Sequence, residues 1–190
     1  MYSLLIDTHG KNVLIILYKD GKIFCLENLE TQNKHSQVAM PLLDKVLKNS
    51  EVDIKDINEI FVVNGPGSFT GVRIAVTIAK TIAYCLNIPI KTIDALTILA
   101  VNVEADKKIV SIEDRNGAFV GEFDKDCLPV KDYQYLNKSV YLEYKNNNDV
   151  INECDIDYEK VYDYLYNVEA INPHEVKPLY VKGISVLNDK

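Results

Sequence analysis

The sequence predicts an α/β fold of two domains, each of which begins with a meander of antiparallel strands. Three observations predict this fold class. Short apolar runs separated by hairpin breakers begin the chain, and a second series of the same kind begins at Lys108. Between them lie an apolar run, a glycine-rich loop and a long apolar helix. We therefore expect one domain over residues 1–102 and another over residues 103–190.

The elements of the first domain follow from its hydrophobic pattern and its breakers. Asp20-Gly21 is a strong two-residue turn signal, and His9-Gly10 is a second breaker. Pro41 lies inside a helical pattern, where it should kink the helix or mark its first turn. The predicted elements are strands Tyr2–Thr8, Asn12–Tyr18 and Lys22–Leu29, helix Ser36–Lys48, strand Ile60–Asn64, helix Val72–Leu86 and helix Ala95–Asn102.

The second domain repeats the opening of the first. Asp7-x-x-Gly10 matches Asp114-x-x-Gly117, and each motif has an apolar strand before it and another after it. A repeat of this length indicates duplicated domains rather than a solenoid. The predicted elements are strands Lys108–Asp114, Ala118–Phe123 and Ser139–Tyr144, a linker at Asn146–Asn148, helix Tyr158–Val168 and strand Pro178–Lys182.

The loop Gly65–Gly71 joins a buried strand to the long helix. Ser68 and Thr70 can cap that helix, and the free N–H groups at its start suit a phosphate. The loop matches neither standard phosphate motif, because Gly71 is followed by Val72 instead of lysine and the glycine spacing is G-x-G-x-x-x-G. The pattern leaves a structural turn and a phosphate site as alternatives.

The long helix is apolar on two faces, one centred on Ala75 and Ala79 and the other on Ile74 and Ile78. One face can cover the sheet, and the other then needs a second layer or another protein. A core helix and a partner helix are therefore both open. The residues predicted for a partner interface are Ala39, Leu43, Val72, Ala75, Ile78, Ala79 and Ile82.

Composition limits the classes of function. The net charge is −7 and the pI is about 5.0, which disfavours strong RNA binding by this chain alone. No uninterrupted apolar run approaches the ~18 residues of a membrane helix, and no signal peptide is evident at the N-terminus. The four cysteines form no C-x-x-C pair. We expect reduced thiols in a cytoplasmic protein with no membrane partner.

The sequence contains no recognisable catalytic set. Its three histidines lie far apart and form no metal motif, so we expect no metal site. Asp7 and Asp114 can face one cleft and hold a metal–nucleotide group, which leaves a small nucleotide-dependent phosphotransferase or ATPase as the alternative reading. Arg73 lies at the positive end of the helix dipole and should have a carboxylate partner, on this chain or on a bound subunit. The structural or weak nucleotide-loop candidates are Asp7, Gly65, Gly67, Ser68, Thr70, Gly71, Arg73 and Asp114.

Several blocks of the sequence resemble the bacterial TsaB family, also called YeaZ. The most specific is Asn64–Arg73 (NGPGSFTGVR), and weaker blocks occur in the family's order at Leu5–Thr8, His35–Pro41, Ile112–Arg115 and Pro178–Lys182. The resemblance runs nearly from end to end, although residues 125–169 look shortened. It implies two ASKHA-like domains of the actin/Hsp70/sugar-kinase type, with the second domain abbreviated.

The resemblance also implies a function. Members of the family partner TsaD in making the N6-threonylcarbamoyl modification of adenosine 37 in tRNA, and TsaD carries the active site. The chain is therefore expected to be a non-catalytic subunit that contacts a TsaD-like subunit and, in the complex, a TsaE-like ATPase. Only indirect contact with tRNA is expected, and for the free chain a homodimer through the same helices and a monomer are left as alternatives. The isolated chain should need no cofactor, with ATP and Mg²⁺ confined to the assembled complex.

Overall fold

The computed structural model describes residues 1–31 and 34–181, which form two β-sheets with helices packed on them. The first sheet has five strands in the order β3-β2-β1-β4-β5. The three N-terminal strands pair in antiparallel fashion, and β4 and β5 add to β1 as parallel strands. The strands are β1 (Tyr2–Asp7), β2 (Asn12–Lys19), β3 (Lys22–Glu30), β4 (Ile57–Val63) and β5 (Ile90–Ile93).

Helices cover both faces of the first sheet, because the central strands are apolar on both sides. On one face lie α1 (His35–Ser50) and α2 (Phe69–Leu86). On the other face lie α3 (Ala95–Val101) and α5 (Tyr158–Tyr166), which comes from the second half of the chain. The division into domains at residues 102 and 103 stays a prediction.

The second sheet has four strands in the order β8-β7-β6-β9. Its strands are β6 (Lys107–Glu113), β7 (Gly117–Asp124), β8 (Gln134–Asn137) and β9 (Val150–Ile151), and α4 (Lys138–Asn147) lies between β8 and β9 in the chain. β6, β7 and β8 pair in antiparallel fashion, whereas β9 is parallel to β6. Tyr141 of α4 is buried against β7 and so fixes the helix on this sheet.

The predicted strand Ser139–Tyr144 is wrong, because this segment forms most of α4. The side chain of Asn137 caps the helix by accepting from the N–H of Val140, which stabilises a helical start. The predicted linker at Asn146–Asn148 is also wrong at its first two positions, since α4 ends at Asn147. The Asn137 cap, which lies outside the apolar pattern, therefore favours a helix in this segment over the predicted strand.

The remaining differences concern the ends of elements and short strands. α1 begins six residues before Pro41, so the proline does not mark its first turn. The short strands β5, β8 and β9 were not predicted. The segment Pro178–Val181 contains no strand, and Lys182 lies outside the described residues.

Candidate functional site

The loop between β4 and α2 is packed on the backbone of the first hairpin. The N–H of Ser68 donates to the carbonyl oxygen of His9 at 2.8 Å. A Cβ atom at Gly67 would lie 2.4 Å from that same oxygen, and one at Gly71 would lie 2.0 Å from the carbonyl oxygen of Thr8. Only glycine permits these approaches, so the loop holds the start of α2 against the hairpin.

The two predicted caps of α2 behave differently. Ser68 is the N-cap residue, and its side chain accepts from the N–H of Gly71 at 3.2 Å. Thr70 lies inside the first turn and is exposed, so its prediction as a cap is wrong. A helix has one N-cap position, and Ser68 occupies it two residues earlier.

Arg73 has an aromatic neighbour where a carboxylate was expected. Its guanidinium lies 5.1 Å from the centre of the Phe69 ring. The ion pairs in the described part of the chain include none with Arg73, so the expected carboxylate is not found among those residues, and one on a bound subunit stays a prediction. The ring of Tyr180 also stacks on the ring of Phe69, with 5.3 Å between the two ring centres.

Asp7 and Asp114 make the same local bond in their two hairpins. Asp7 Oδ1 accepts from the N–H of His9 at 2.9 Å, and Asp114 Oδ1 accepts from the N–H of Asn116 at 2.7 Å. Tyr135 also donates to Asp114 through its hydroxyl. Each carboxylate thus stabilises its own turn, which favours a structural role over a shared metal–nucleotide site.

The imidazole of His9 is paired with Asp7. Its Nδ1 atom lies 2.7 Å from Asp7 Oδ1. Burial lowers the pKa of His9, but the charge of Asp7 and this hydrogen bond outweigh burial and raise that pKa above its ordinary value. When it is protonated, His9 thus offsets the charge of Asp7 and forms an ion pair without net charge beside the loop.

A cleft of about 720 Å³ lies between the two hairpins and is lined by both cationic and acidic side chains. The cationic and imidazole side chains in its lining are His9, Lys11, His35 and Arg115, and the acidic ones are Glu113 and Asp114. Among the described residues, no group of three His, Cys, Asp or Glu side chains is placed to hold a metal ion. The mixed lining does not select one class of ligand.

Most of the predicted partner interface lies inside the chain's own core. Ala39, Leu43, Val72, Ala75 and Ala79 are at most 3% exposed and pack under α1 and α2 against the first sheet. Their prediction as contact residues is wrong, because the alanine-rich stripe of α2 faces the sheet. Ile78 and Ile82 are half-buried and stay available at the surface.

The opposite side of α2 forms a surface that we call the outer face, defined by Ile74, Thr77, Ile78, Thr81 and Cys85. The two isoleucines are half-buried, and the other three residues are exposed.

By length and composition alone, α2 is long and apolar enough to cross a membrane, and 33% of it is buried. The expectation from the sequence concerned uninterrupted apolar runs, and α2, which contains Thr77 and Lys80, does not contradict it. On α1, which packs beside α2, Met40 is 52% exposed.

One flank of α2 is covered by the C-terminal segment 171–181. Lys80 Nζ donates to the carbonyl oxygens of His174 and Val176, at 3.2 and 3.0 Å. Val176 is buried in the core under α2, and the N–H of Leu179 donates to the carbonyl oxygen of Asn64 at 2.7 Å. No pattern in the sequence predicts this packing, which leaves the outer face as the open apolar side of α2.

Comparison with known families gives a match over the middle of the chain. Residues 29–117 match the family described as "TsaD: tRNA N6-adenosine threonylcarbamoyltransferase". The tRNA threonylcarbamoyladenosine biosynthesis protein TsaB of Bacillus subtilis is 38% identical over 102 residues, which are 54% of this chain and 44% of that protein. The match thus spans less than half the length of this curated relative.

Two further comparisons extend over nearly the whole chain. An uncharacterised protein of Mycoplasma pneumoniae, named as the MG208 homologue, is 28% identical over 198 residues, with 95% of each chain covered. The solved structure of YeaZ from Pseudomonas aeruginosa superposes with a TM-score of 0.75, at 17% identity, over 94% of this chain and 99% of that one. The sequence match thus makes the chain similar to TsaB over about half of its length, and the structural match shows that the chain shares the fold of YeaZ.

Proposed function

We propose that the chain acts in tRNA threonylcarbamoyladenosine biosynthesis as a non-catalytic subunit that binds a TsaD-type threonylcarbamoyltransferase in the cytoplasm. The role in this pathway is supported by the name of the Bacillus subtilis relative and by the family match over residues 29–117. The subunit role rests on the outer face of α2, which is the observation that carries the proposal.

The outer face has the properties of a surface that another protein covers. The buried stripe of α2 packs on the first sheet, and Ile74 and Ile78 contact that core with part of their surface while the rest stays open to solvent. The exposed residues beside them, Thr77, Thr81 and Cys85, include no Asp, Glu, Lys or Arg. An uncharged helical surface next to a second helix favours helix–helix packing with a partner.

The outer face also argues against insertion of α2 into a membrane. Val72, Ala75 and Ala79 are fully or almost fully buried against the sheet, and Lys80 is tied to the C-terminal segment. A membrane span would require α2 to leave these contacts and expose the sheet beneath it. Packing against another protein needs no such rearrangement.

The proposal assigns no catalytic residue to this chain. The loop glycines and Ser68 are explained by contacts to the hairpin and by the helix cap. Asp7 and Asp114 stabilise their own turns. We therefore assign these residues to support of α2, and the two ASKHA-type domains, a TsaE-like ATPase and a homodimer stay predictions from the family resemblance.

Reconstitution tests the proposal. A TsaD-type enzyme from the same cell, its remaining components and a tRNA substrate are assayed for the modified nucleoside with and without this chain. We expect modification to require the chain, and the Asp7→Ala and Asp114→Asn variants to retain it once they are folded. Full modification without the chain would contradict the subunit role, and loss of modification in a folded Asp7→Ala complex would contradict the non-catalytic role.

A further inference from the structure

Lys108 is a buried lysine whose amine points at a cysteine. It is 4% exposed, although it lies near the start of β6. Its Nζ atom donates to the carbonyl oxygens of Ala100 at 3.1 Å and Lys125 at 3.4 Å, and it lies 3.0 Å from Cys127 Sγ. The two carbonyl groups hold the nitrogen in place beside the sulfur.

Cys127 is fixed from the other side and remains reachable from solvent. Its Sγ atom lies 3.4 Å from the carbonyl oxygen of Ala100, the same group that binds Lys108. Its backbone is in the left-handed region, with φ at 61°, in the turn after β7. The side chain is half-buried, and its neighbour Leu128 is 55% exposed, so a small oxidant can reach the sulfur.

We propose that Lys108 and Cys127 are a modification site, at which peroxide produces a covalent nitrogen–sulfur crosslink. Hydrogen peroxide transfers one oxygen to the sulfur, so the thiol becomes a sulfenic acid and the peroxide is reduced to water. The Lys108 ammonium first gives one proton to solvent, and the free amine then attacks the sulfur, which forms an N–S bond and breaks the S–O bond. The hydroxyl leaves as water with a second proton from the same nitrogen.

The crosslink is reversible by thiols and lies at a junction of three elements. Two added thiols restore the amine and the cysteine and become a disulfide. The bond would tie β6 to the turn after β7, beside the carbonyl group of Ala100 in the last turn of α3. Oxidation is therefore expected to lock β6 to the turn after β7.

Mass spectrometry of the full chain tests the site. The folded chain is treated with hydrogen peroxide, quenched, digested without reductant and mapped. We expect a linked peptide that contains Lys108 and Cys127 and has two hydrogens fewer than the separate peptides, and we expect dithiothreitol to release it. The exposed Cys85 reports whether the oxidant acted, because its oxidation does not depend on a lysine contact.

Three comparisons decide the outcome. The linked peptide should be lost in Cys127→Ser and in Lys108→Arg, which keeps the charge but lacks the amine nucleophile. In urea it should fall to background, because the 3.0 Å contact exists only in the folded chain. This comparison uses the wild-type chain and so still decides if a variant does not fold. Equal linking in urea, or oxidation of Cys127 without a bond to Lys108, would overturn the proposal.

Discussion

Gly71 lies in the first turn of α2 against the backbone of the first hairpin, and we predict that Gly71→Ala destabilises the chain by about 2 kcal/mol. The added Cβ would lie 2.0 Å from the carbonyl oxygen of Thr8, so the backbone of one element must move. That movement also disturbs the hydrogen bond from the hydroxyl of Thr8 to the carbonyl oxygen of Gly71. Both costs arise at the contact that directs α2 over the sheet.

The magnitude follows from three contributions. Overpacking a close contact costs about 1–3 kcal/mol. Weakening the buried hydrogen bond costs about 0.5–1.5 kcal/mol. Alanine recovers up to about 1 kcal/mol because it is a better helix former than glycine. The net loss of about 2 kcal/mol should lower the midpoint of thermal unfolding by roughly 4–8 °C in a chain of 190 residues.

Thermal unfolding followed by circular dichroism measures this effect. Gly10→Ala is the matched control, because a Cβ at that glycine meets no atom within 4 Å. The control should unfold within a degree or two of the wild-type chain. If Gly71→Ala unfolds at the same temperature as Gly10→Ala, the close packing of the loop on the hairpin does not constrain α2 and the support role of the loop is wrong.

Three further predictions concern the same region. Ser68→Ala should lower the free energy of unfolding by about 1 kcal/mol, and Thr70→Ala should lower it by less than about 0.5 kcal/mol. Urea titration measures both losses, and equal losses would contradict the assignment of Ser68 as the cap. Because the pKa of folded His9 is raised above 6.5, the stabilisation it provides is complete below that pH and is lost as pH rises through the folded pKa. The free energy of unfolding that His9→Asn removes should therefore be larger at pH 5.5 than at pH 8.5, and a difference that grows with pH would refute the pairing with Asp7. The isolated chain should show negligible Mg²⁺-dependent ATP hydrolysis in a phosphate-release assay, and sustained turnover that Asp7→Ala abolishes would favour the phosphotransferase alternative.

Turn chemistry made the first hairpins predictable. Asp20 and Gly21 both have positive φ, at 51° and 83°, as a two-residue hairpin turn requires, so the Asp-Gly signal located the turn between β2 and β3. The strands β5 and β9 were missed because they have four and two residues, too few for a pattern to be distinguished. Ser139–Tyr144 was misread because its aromatic and β-branched residues favour a strand, whereas the Asn137 cap favours the helix that forms.

The two apolar faces of α2 could be predicted from the sequence, but which of them packs on the sheet could not. The two apolar stripes of α2 follow from its sequence, and both exist in the structure. Periodicity cannot tell which stripe meets the sheet, and the smaller residues Ala75 and Ala79 pack there because they allow close approach of the helix. The contact of the Arg73 guanidinium with the ring of Phe69 is one that spacing alone does not reveal, and its carboxylate partner on a bound subunit stays a prediction.

The most direct test of the account is the binding of a TsaD-type protein to outer-face variants of this chain. Ile78→Glu places a charge on the outer face, and Leu142→Glu places one on α4, where Leu142 is 52% exposed. Complexes are measured by size-exclusion chromatography with light scattering, after circular dichroism has shown that each variant is folded. The account predicts that wild type and Leu142→Glu form the complex and that folded Ile78→Glu does not; an unchanged complex with Ile78→Glu would contradict it.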